Sequence, residues 1–391
     1  MTNTEFVLRT LFNMCLPIIK GTAVFQSFRG QYSDNPKYIS EELHKRYPEI
    51  KIFWIIGEGE EKDFPDYVET VREGSAEHSK YIARAELSVD NYCGPRTNFL
   101  KENNLIKRLC FWLLSRSRRG QLCLSTWHGT PLKHIALDEP KYQRSKFKRA
   151  YVSADVLIAG CQLTADAFKT AFDWKGPIEM CGTPRNDLLF APNDTRLKEK
   201  LGIDENKRLL LFAPTYRNSI EMSGICQLNC LNIEAILERL SSRLGGEWCF
   251  VFRGHNLVAS SIPKDKKNVI DGNACPDMAE YLAAADLLLT DYSSSMFDFM
   301  LTRRPVLLYT PDLDEYKNSE RGFYFDIEDT PFPISLTADG ILEKIDSLDV
   351  HEYQKKVDAF LEKIGNIERG NAAKRAVDLI ERRLFYKPLQ E

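Results

Sequence analysis

Several common signatures are missing from this chain. No window approaches the roughly 18 consecutive apolar residues that a membrane span requires. Glu5 and Arg9 interrupt the N-terminal stretch, so it lacks the charged-then-apolar layout of a signal peptide. There is no G-x-G-x-x-G fingerprint, which disfavours a dinucleotide-binding enzyme. The ten cysteines form no dense framework. Cys226 and Cys230 are close, but no histidine or second cysteine pair stands beside them to complete a zinc site. Scattered reduced thiols in a cytosolic protein are the expectation. No carboxylates cluster as metal ligands, and no metal-binding residue is assigned. Neither sign of charge dominates. A net charge of -3 gives the molecule no overall pull toward nucleic acid or an anionic membrane, so any such attraction has to be local. The chain is expected to stay in the cytoplasm.

What is present is ordinary for folded protein: 43% hydrophobic and 28% charged residues over 391 positions. At roughly 100–200 residues per domain this length suggests two domains. Short apolar runs alternate with helical patterns. Candidate strands are Thr22–Phe28, Ile50–Ile56, Leu122–Trp127, Val156–Ala159 and Ile178–Cys181, then Arg208–Phe212, Trp248–Phe252, Val269–Asp271, Leu287–Thr290 and Pro305–Tyr309. These are apolar on both faces, as buried parallel strands are. Helical patterns such as Asn232–Leu244 and Asp277–Ala285 lie between them, which predicts doubly wound sheets. A turn cluster at Ala191–Asp194 marks a break. The expected fold is α/β and GT-B-like: two doubly wound Rossmann-like domains facing across a cleft. Residues 1–190 form the first, and residues 191–391, closing on a basic amphipathic terminal helix, form the second.

Six histidines occur. His44, His78, His134 and His351 sit among polar residues in helix-like segments and read as solvated surface side chains. His128 and His255 differ, because each follows an apolar strand-like run and sits at a turn. In open α/β sheets ligands bind beyond the carboxyl ends of strands. An imidazole there can take a proton from a hydroxyl, although a buried histidine that holds the turn is the plainer alternative. Arg253 and His255 alternate with apolar neighbours and so share a face, which suits an anion site or a rim ion pair. The run from Leu287 to Asp298 passes from a buried strand through Asp291, Ser293, Ser294 and Ser295 into a helix. A serine there can cap the helix, and the helix start can receive a phosphate. Arg185 and Arg217 also stand at strand exits. Arg217 reads as a phosphate ligand, and Arg185 as either a phosphate ligand or a brace at the domain junction.

Six stretches in register carry a resemblance: Gly30–Tyr38, Trp127–Lys133 with Asp138, Thr183–Asp187, Ala213–Arg217, Arg253–His255, and Asp291–Ser294 with Phe297 and Asp298. Together they resemble the CDP-glycerol glycerophosphotransferase family, whose members start or extend teichoic-acid-type polyol-phosphate chains or build capsules. The departures are Asn256, where the family often has proline, and Cys161, where it often has serine. The resemblance implies a CDP-glycerol donor, with CDP-ribitol as the alternative, held by Arg217, Arg253, Asp291, Ser293, Ser294 and Asp298 of the second domain. It implies an acceptor hydroxyl on the side of Gly129, Thr130, Lys133, Asp138, Arg185 and Asp187. His128 and His255 are then the catalytic pair: His128 takes the acceptor's proton, and His255 with Arg253 neutralises the leaving phosphate. No tightly bound cofactor is implied, although Mg²⁺ held loosely on the donor phosphates fits. A length close to a bare catalytic core points toward a primase or short-chain enzyme.

The implied acceptor is a lipid-linked saccharide or growing polyol-phosphate chain. That places the enzyme peripherally on the inner face of the cell membrane. Leu105–Arg119 mixes Phe111 and Trp112 with Lys107, Arg108, Arg116, Arg118 and Arg119, and Lys141–Arg149 adds five cationic side chains. Basic aromatic segments of this kind lie on anionic surfaces, and an ordinary surface helix is the alternative. Two other classes compete. A GT-B glycosyltransferase would use a nucleotide sugar and release a nucleoside diphosphate. A non-catalytic membrane-surface component would bind without releasing CMP.

Overall fold

The computed structural model describes residues 2–59, 63–92, 117–140, 152–191, 196–215, 224–254, 269–273, 275–319 and 322–385. They form two compact units, each built on one parallel sheet. This is the two-domain, doubly wound plan of the GT-B-like class.

The first unit holds seven strands: β1 (Ile19–Gln26), β2 (Lys51–Ile56), β3 (Val68–Arg72), β4 (Ala85–Asp90), β5 (Leu122–Ser125), β6 (Val156–Ile158) and β7 (Ile178–Glu179). Their order is β3-β2-β1-β4-β5-β6-β7, with every pairing parallel. The chain reverses its winding between β1 and β4, so ligands are expected beyond the carboxyl ends of these central strands. Phe25, Trp54, Val89, Leu124 and Ile158 meet in one buried core.

The second unit holds β8 (Arg208–Phe212), β9 (Trp248–Phe252), β10 (Val269–Asp271), β11 (Leu287–Thr290), β12 (Val306–Tyr309) and β13 (Ile334–Ser335). Their order is β10-β9-β8-β11-β12-β13, again parallel, and the winding reverses between β8 and β11. Phe212, Phe250 and Leu289 lie at the centre of its core.

A single division at 190/191 does not describe these units. The first comprises residues 1–128, 145–187 and 367–391, and the second residues 129–144 and 188–366. The chain leaves the first unit at Asp187, close to the expected break, but two segments change sides. The terminal helix Ala372–Ile380 belongs to the first unit for a physical reason. Its Ala376, Val377, Leu379 and Ile380 are buried in the core that contains Ile39 and Leu43 of the helix Asp34–Arg46. Asp187 accepts the amide hydrogens of Ala372 at 2.7 Å and Ala373 at 2.8 Å, which caps the helix start. Arg46 donates to Asp378 across the same contact.

Candidate functional site

The carboxyl edge of the first sheet is shaped by backbone conformations that few side chains tolerate. After β1, Gly30 takes φ +79°, and a Cβ there would stand 2.6 Å from the Ile56 Cα. Only glycine lets the turn run that close to the end of β2. The chain then reaches Asp34 at φ 60° and Asn35, which is wholly buried. After β5, Trp127 takes φ 53°, rare for so large a residue, and is followed by His128.

His128 is half-buried, and its ring stacks on Trp127 with centroids 4.1 Å apart. Its Nδ1 lies 2.9 Å from the backbone carbonyl of Asn91, just past β4. A carbonyl only accepts, so the neutral ring carries its proton on Nδ1 and its lone pair on Nε2. That tautomer can act as a base through Nε2. The backbone around the ring is held as firmly. Asn35 donates to the Trp127 carbonyl at 3.0 Å and accepts the Arg185 amide at 3.1 Å. Arg185 donates to Asp34 at 2.8 Å and to the His128 carbonyl at 2.8 Å. The sequence left Arg185 open between phosphate ligand and junction brace. Here it braces the turn that carries His128, within one unit. Asp187 is occupied in capping the terminal helix; burial raises its carboxyl pKa even though the two amides work the other way.

Thr183 and Gly182 belong to the same support. Buried Glu368 accepts the Thr183 amide at 2.8 Å. A Cβ on Gly160 would collide with the Glu368 carboxylate.

The motif that begins at Trp127 changes unit after His128, so Gly129, Thr130, Lys133 and Asp138 belong to the second. Lys133 pairs antiparallel with Phe323, and its ammonium stands 5.2 Å from the centroid of the Tyr316 ring. Asp138 accepts the Tyr324 hydroxyl at 2.6 Å, and burial together with this bond raises the phenol's pKa. This bond fastens the Asp138 segment to residues 322–324.

At the winding reversal of the second sheet, Asp291 is fully buried. One of its oxygens accepts the Thr215 amide at 2.8 Å, the Thr215 hydroxyl at 2.6 Å and the Tyr292 amide at 2.6 Å. Asp291 thus ties the exit of β8 to the exit of β11. Ser294 occupies the cap position of the short helix Ser295–Phe299, but its hydroxyl makes no cap bond. Instead the Ser293 hydroxyl receives the Ser295 amide at 3.4 Å and lies 2.9 Å from the Ser295 hydroxyl. Asp298 is buried within this helix.

Arg253 departs from its expected place in an anion site. Its guanidinium donates to the carbonyls of Gly272 at 2.9 Å and Pro276 at 2.9 Å, and also to that of Cys275. It also stacks on Tyr281, 4.5 Å from the ring centroid. Carbonyls and an aromatic face occupy the cation, so it holds the turn after β10. His255 and Arg217 lie outside the described residues, as do 105–116 of the basic aromatic segment and all of 141–149. Arg118, at the described end of that segment, donates to the carbonyls of Ala83 at 2.9 Å and Met14 at 2.6 Å and is structural rather than surface-seeking.

The four histidines set aside as solvated are not alike. His351 is exposed, and His44 stacks on Tyr67 with centroids 3.9 Å apart. His134 packs edge-on to Tyr324. His78 is fully buried: its Nδ1 accepts the Gly74 amide at 3.0 Å, and burial lowers its pKa to about 3. Asn91 could not be found from sequence, because a backbone carbonyl does the work and any residue has one. Among the described residues no group of three or more His, Cys, Asp or Glu side chains is placed to hold a metal ion. No described helix is long and apolar enough to cross a membrane.

A family model described as CDP-glycerol:poly(glycerophosphate) glycerophosphotransferase matches residues 8–382. The teichoic acid poly(glycerol phosphate) polymerase of Staphylococcus epidermidis is 32% identical over 384 residues, covering 92% of this chain and 50% of that protein. The protein of the same name from Bacillus spizizenii is 31% identical over 384 residues, covering 93% of this chain and 92% of that protein. The chain therefore spans about half the length of the first of these relatives and nearly all of the second. A solved structure of the wall teichoic acid polymerase TagF soaked with CDPG superposes with a TM-score of 0.80 at 29% identity, covering 98% of this chain and 94% of that one.

Proposed function

The chain belongs to the CDP-glycerol:poly(glycerophosphate) glycerophosphotransferase family, and from that membership we propose that it transfers glycerol phosphate from CDP-glycerol to a hydroxyl of a membrane-linked acceptor in teichoic-acid-type or capsular polymer synthesis. His128 takes the proton of the acceptor hydroxyl on Nε2. The acceptor oxygen attacks the β-phosphorus, a new phosphodiester bond forms, and the bond from that phosphorus to the bridging oxygen breaks. CMP leaves with the electron pair. His255 and Arg217 are assigned to the developing charge on the leaving phosphate, with Ser293 and Ser294 beside the donor. Such transfers depend mainly on positioning and charge stabilisation.

The observation that carries the reading is the hydrogen bond from His128 to the Asn91 carbonyl. It fixes the basic nitrogen on the side of the ring away from the sheet-edge carbonyl. On this reading the enzyme works at the inner face of the membrane, and the cationic and aromatic residues of 105–116 and 141–149 support that location.

CMP release is the test, measured with CDP-glycerol, CDP-ribitol and a nucleotide sugar, each with a synthetic lipid bearing a terminal glycerol phosphate, with and without magnesium. Rapid CMP release from CDP-glycerol is expected, with a loss of about 10²–10⁴ in rate in His128→Ala. Faster release from CDP-ribitol would reassign the donor. A nucleoside diphosphate released from the sugar donor, with no CMP from either CDP-polyol, would overturn the chemistry. Product length separates one-unit from many-unit addition. Flotation with anionic liposomes at low and high salt tests the membrane placement, and absence of binding at low salt ends it.

A further inference from the structure

Two of the motifs shared with the family have no part in the transfer as written: the stretch around Asp34 and Asn35, and the stretch around Arg185. Their side chains converge on one place. Asn35 holds the Trp127 carbonyl at 3.0 Å, and Arg185 holds the next carbonyl, that of His128, at 2.8 Å. Two consecutive carbonyls of a left-handed turn are thus fixed by side chains 150 residues apart in sequence from one another. Asn35 also accepts the Arg185 amide at 3.1 Å, and Asp34 accepts the Arg185 guanidinium at 2.8 Å, so the group is closed on itself. Asn35 is 0% and Arg185 9% exposed. Apolar packing would fill this space at lower desolvation cost than a buried guanidinium paired with a half-buried carboxylate, so their presence points to something that must be aimed. Trp127 at φ 53° would otherwise relax toward an ordinary conformation and swing the following imidazole.

We propose that Asp34, Asn35 and Arg185 are positioning residues that lock the Trp127–His128 turn and so aim the Nε2 of His128 at the acceptor hydroxyl. The clamp rests on the reading of His128 as the base. It touches neither substrate: it acts on the backbone on either side of the peptide that carries the ring, while the Asn91 carbonyl sets the tautomer. A small rotation of that peptide moves the basic nitrogen away from the reacting proton, and a misplacement of about 1 Å costs on the order of 10²-fold in rate.

The test is steady-state CMP release by the full chain from CDP-glycerol, with the synthetic lipid acceptor above. Arg185→Met, Arg185→Lys and Asn35→Asp are each measured alone and on a His128→Ala background. Arg185→Met is expected to lower kcat by about 30- to 100-fold while KM for CDP-glycerol stays within about twofold. Arg185→Lys reaches one of the two acceptors and is expected to recover part of that loss. On the His128→Ala background none of the three should lower the residual rate further, because a positioning residue has nothing left to aim. If kcat of Arg185→Met stays within about threefold of wild type, or the losses add to that of His128→Ala, the clamp is refuted. Should Arg185→Met fail to fold, Arg185→Lys and Asn35→Asp carry the same comparison, and unchanged kcat in both overturns the proposal. A wild-type chain that releases no CMP sinks the reading of the reaction itself. Turnover that depends on His128 but is indifferent to Arg185 sinks the clamp alone.

Discussion

Replacing Asp187 with alanine isolates how the terminal helix is held in the first unit. The carboxylate accepts two amide hydrogens, from Ala372 at 2.7 Å and Ala373 at 2.8 Å. Hydrogen bonds to a charged group contribute about 1.5–3 kcal/mol each, so a naive sum reaches about 3–6 kcal/mol. The electrostatics argue for less. Burial raises the carboxyl pKa despite the two donors, so desolvation offsets much of what the bonds provide. The expected loss is that of an ordinary cap, about 1–2 kcal/mol, or roughly a 5- to 30-fold fall in amide protection over residues 372–380. An asparagine at this position would keep one oxygen acceptor without the charge, so Asp187→Asn should lose less than Asp187→Ala. The fold should survive both changes, because Ala376, Val377, Leu379 and Ile380 remain buried. Hydrogen exchange by mass spectrometry on peptides spanning the helix reads the effect directly. Unchanged protection in Asp187→Ala, or a larger loss in the asparagine variant, would refute this account of the cap.

Two further outcomes are expected. His78 has its pKa lowered from 6.5 to about 3, so the unfolded chain binds a proton that the folded chain excludes as pH falls. Its contribution is complete above about pH 6.5 and is lost on acidification toward pH 3, by up to about 1.4 kcal/mol per unit. The melting temperature of His78→Asn should therefore fall less steeply between pH 6.5 and 4.5 than that of wild type, and identical slopes would exclude His78 as the source. In the second unit, Asp291→Ala leaves the amides of Thr215 and Tyr292 without their acceptor. At about 1–3 kcal/mol for each unsatisfied buried donor, a clear drop in melting temperature is expected, with Asp291→Asn intermediate. Equal stability of all three proteins would show that the tie between β8 and β11 is dispensable.

The strands that could be read from sequence were those whose residues are apolar on both faces. Arg208–Phe212, Trp248–Phe252, Val269–Asp271 and Leu287–Thr290 lie at their expected bounds. The strand Ala85–Asp90 escaped notice because Glu86 and Asp90 break its apolar pattern. Yet all six residues are buried, and Glu86 is made tolerable there by the Lys20 ammonium and the Gly21 amide. An amphipathic pattern showed that residues near 372–380 form a helix, but periodicity carries no information about which sheet a helix covers. Charged residues misled for a related reason. Arg253 and Arg118 look like ligands for anions, whereas both are held by backbone carbonyls. A guanidinium offers five donors to whatever oxygen the fold supplies, and sequence does not say whether that oxygen belongs to a ligand or to the chain itself.

The stretch from Trp127 to Lys133 shows how a contiguous motif can combine separate physical tasks. Trp127 and His128 end in the first unit, where the ring is set by Asn91 and its peptide by Asn35 and Arg185. From Gly129 onward the chain belongs to the second unit: His134 and Tyr324 exchange backbone bonds with Gly322 and Leu132, and Asp138 ties down Tyr324. Changes at Asp138 and Lys133 should therefore be felt as loosening of this short antiparallel contact, while a change at His128 removes a proton acceptor and leaves that contact alone. His128 and Asp138 thus fall in different units and have separate hydrogen-bond partners. The contacts of Lys133 and Asp138 lie outside the first unit, and only coordinates could show that.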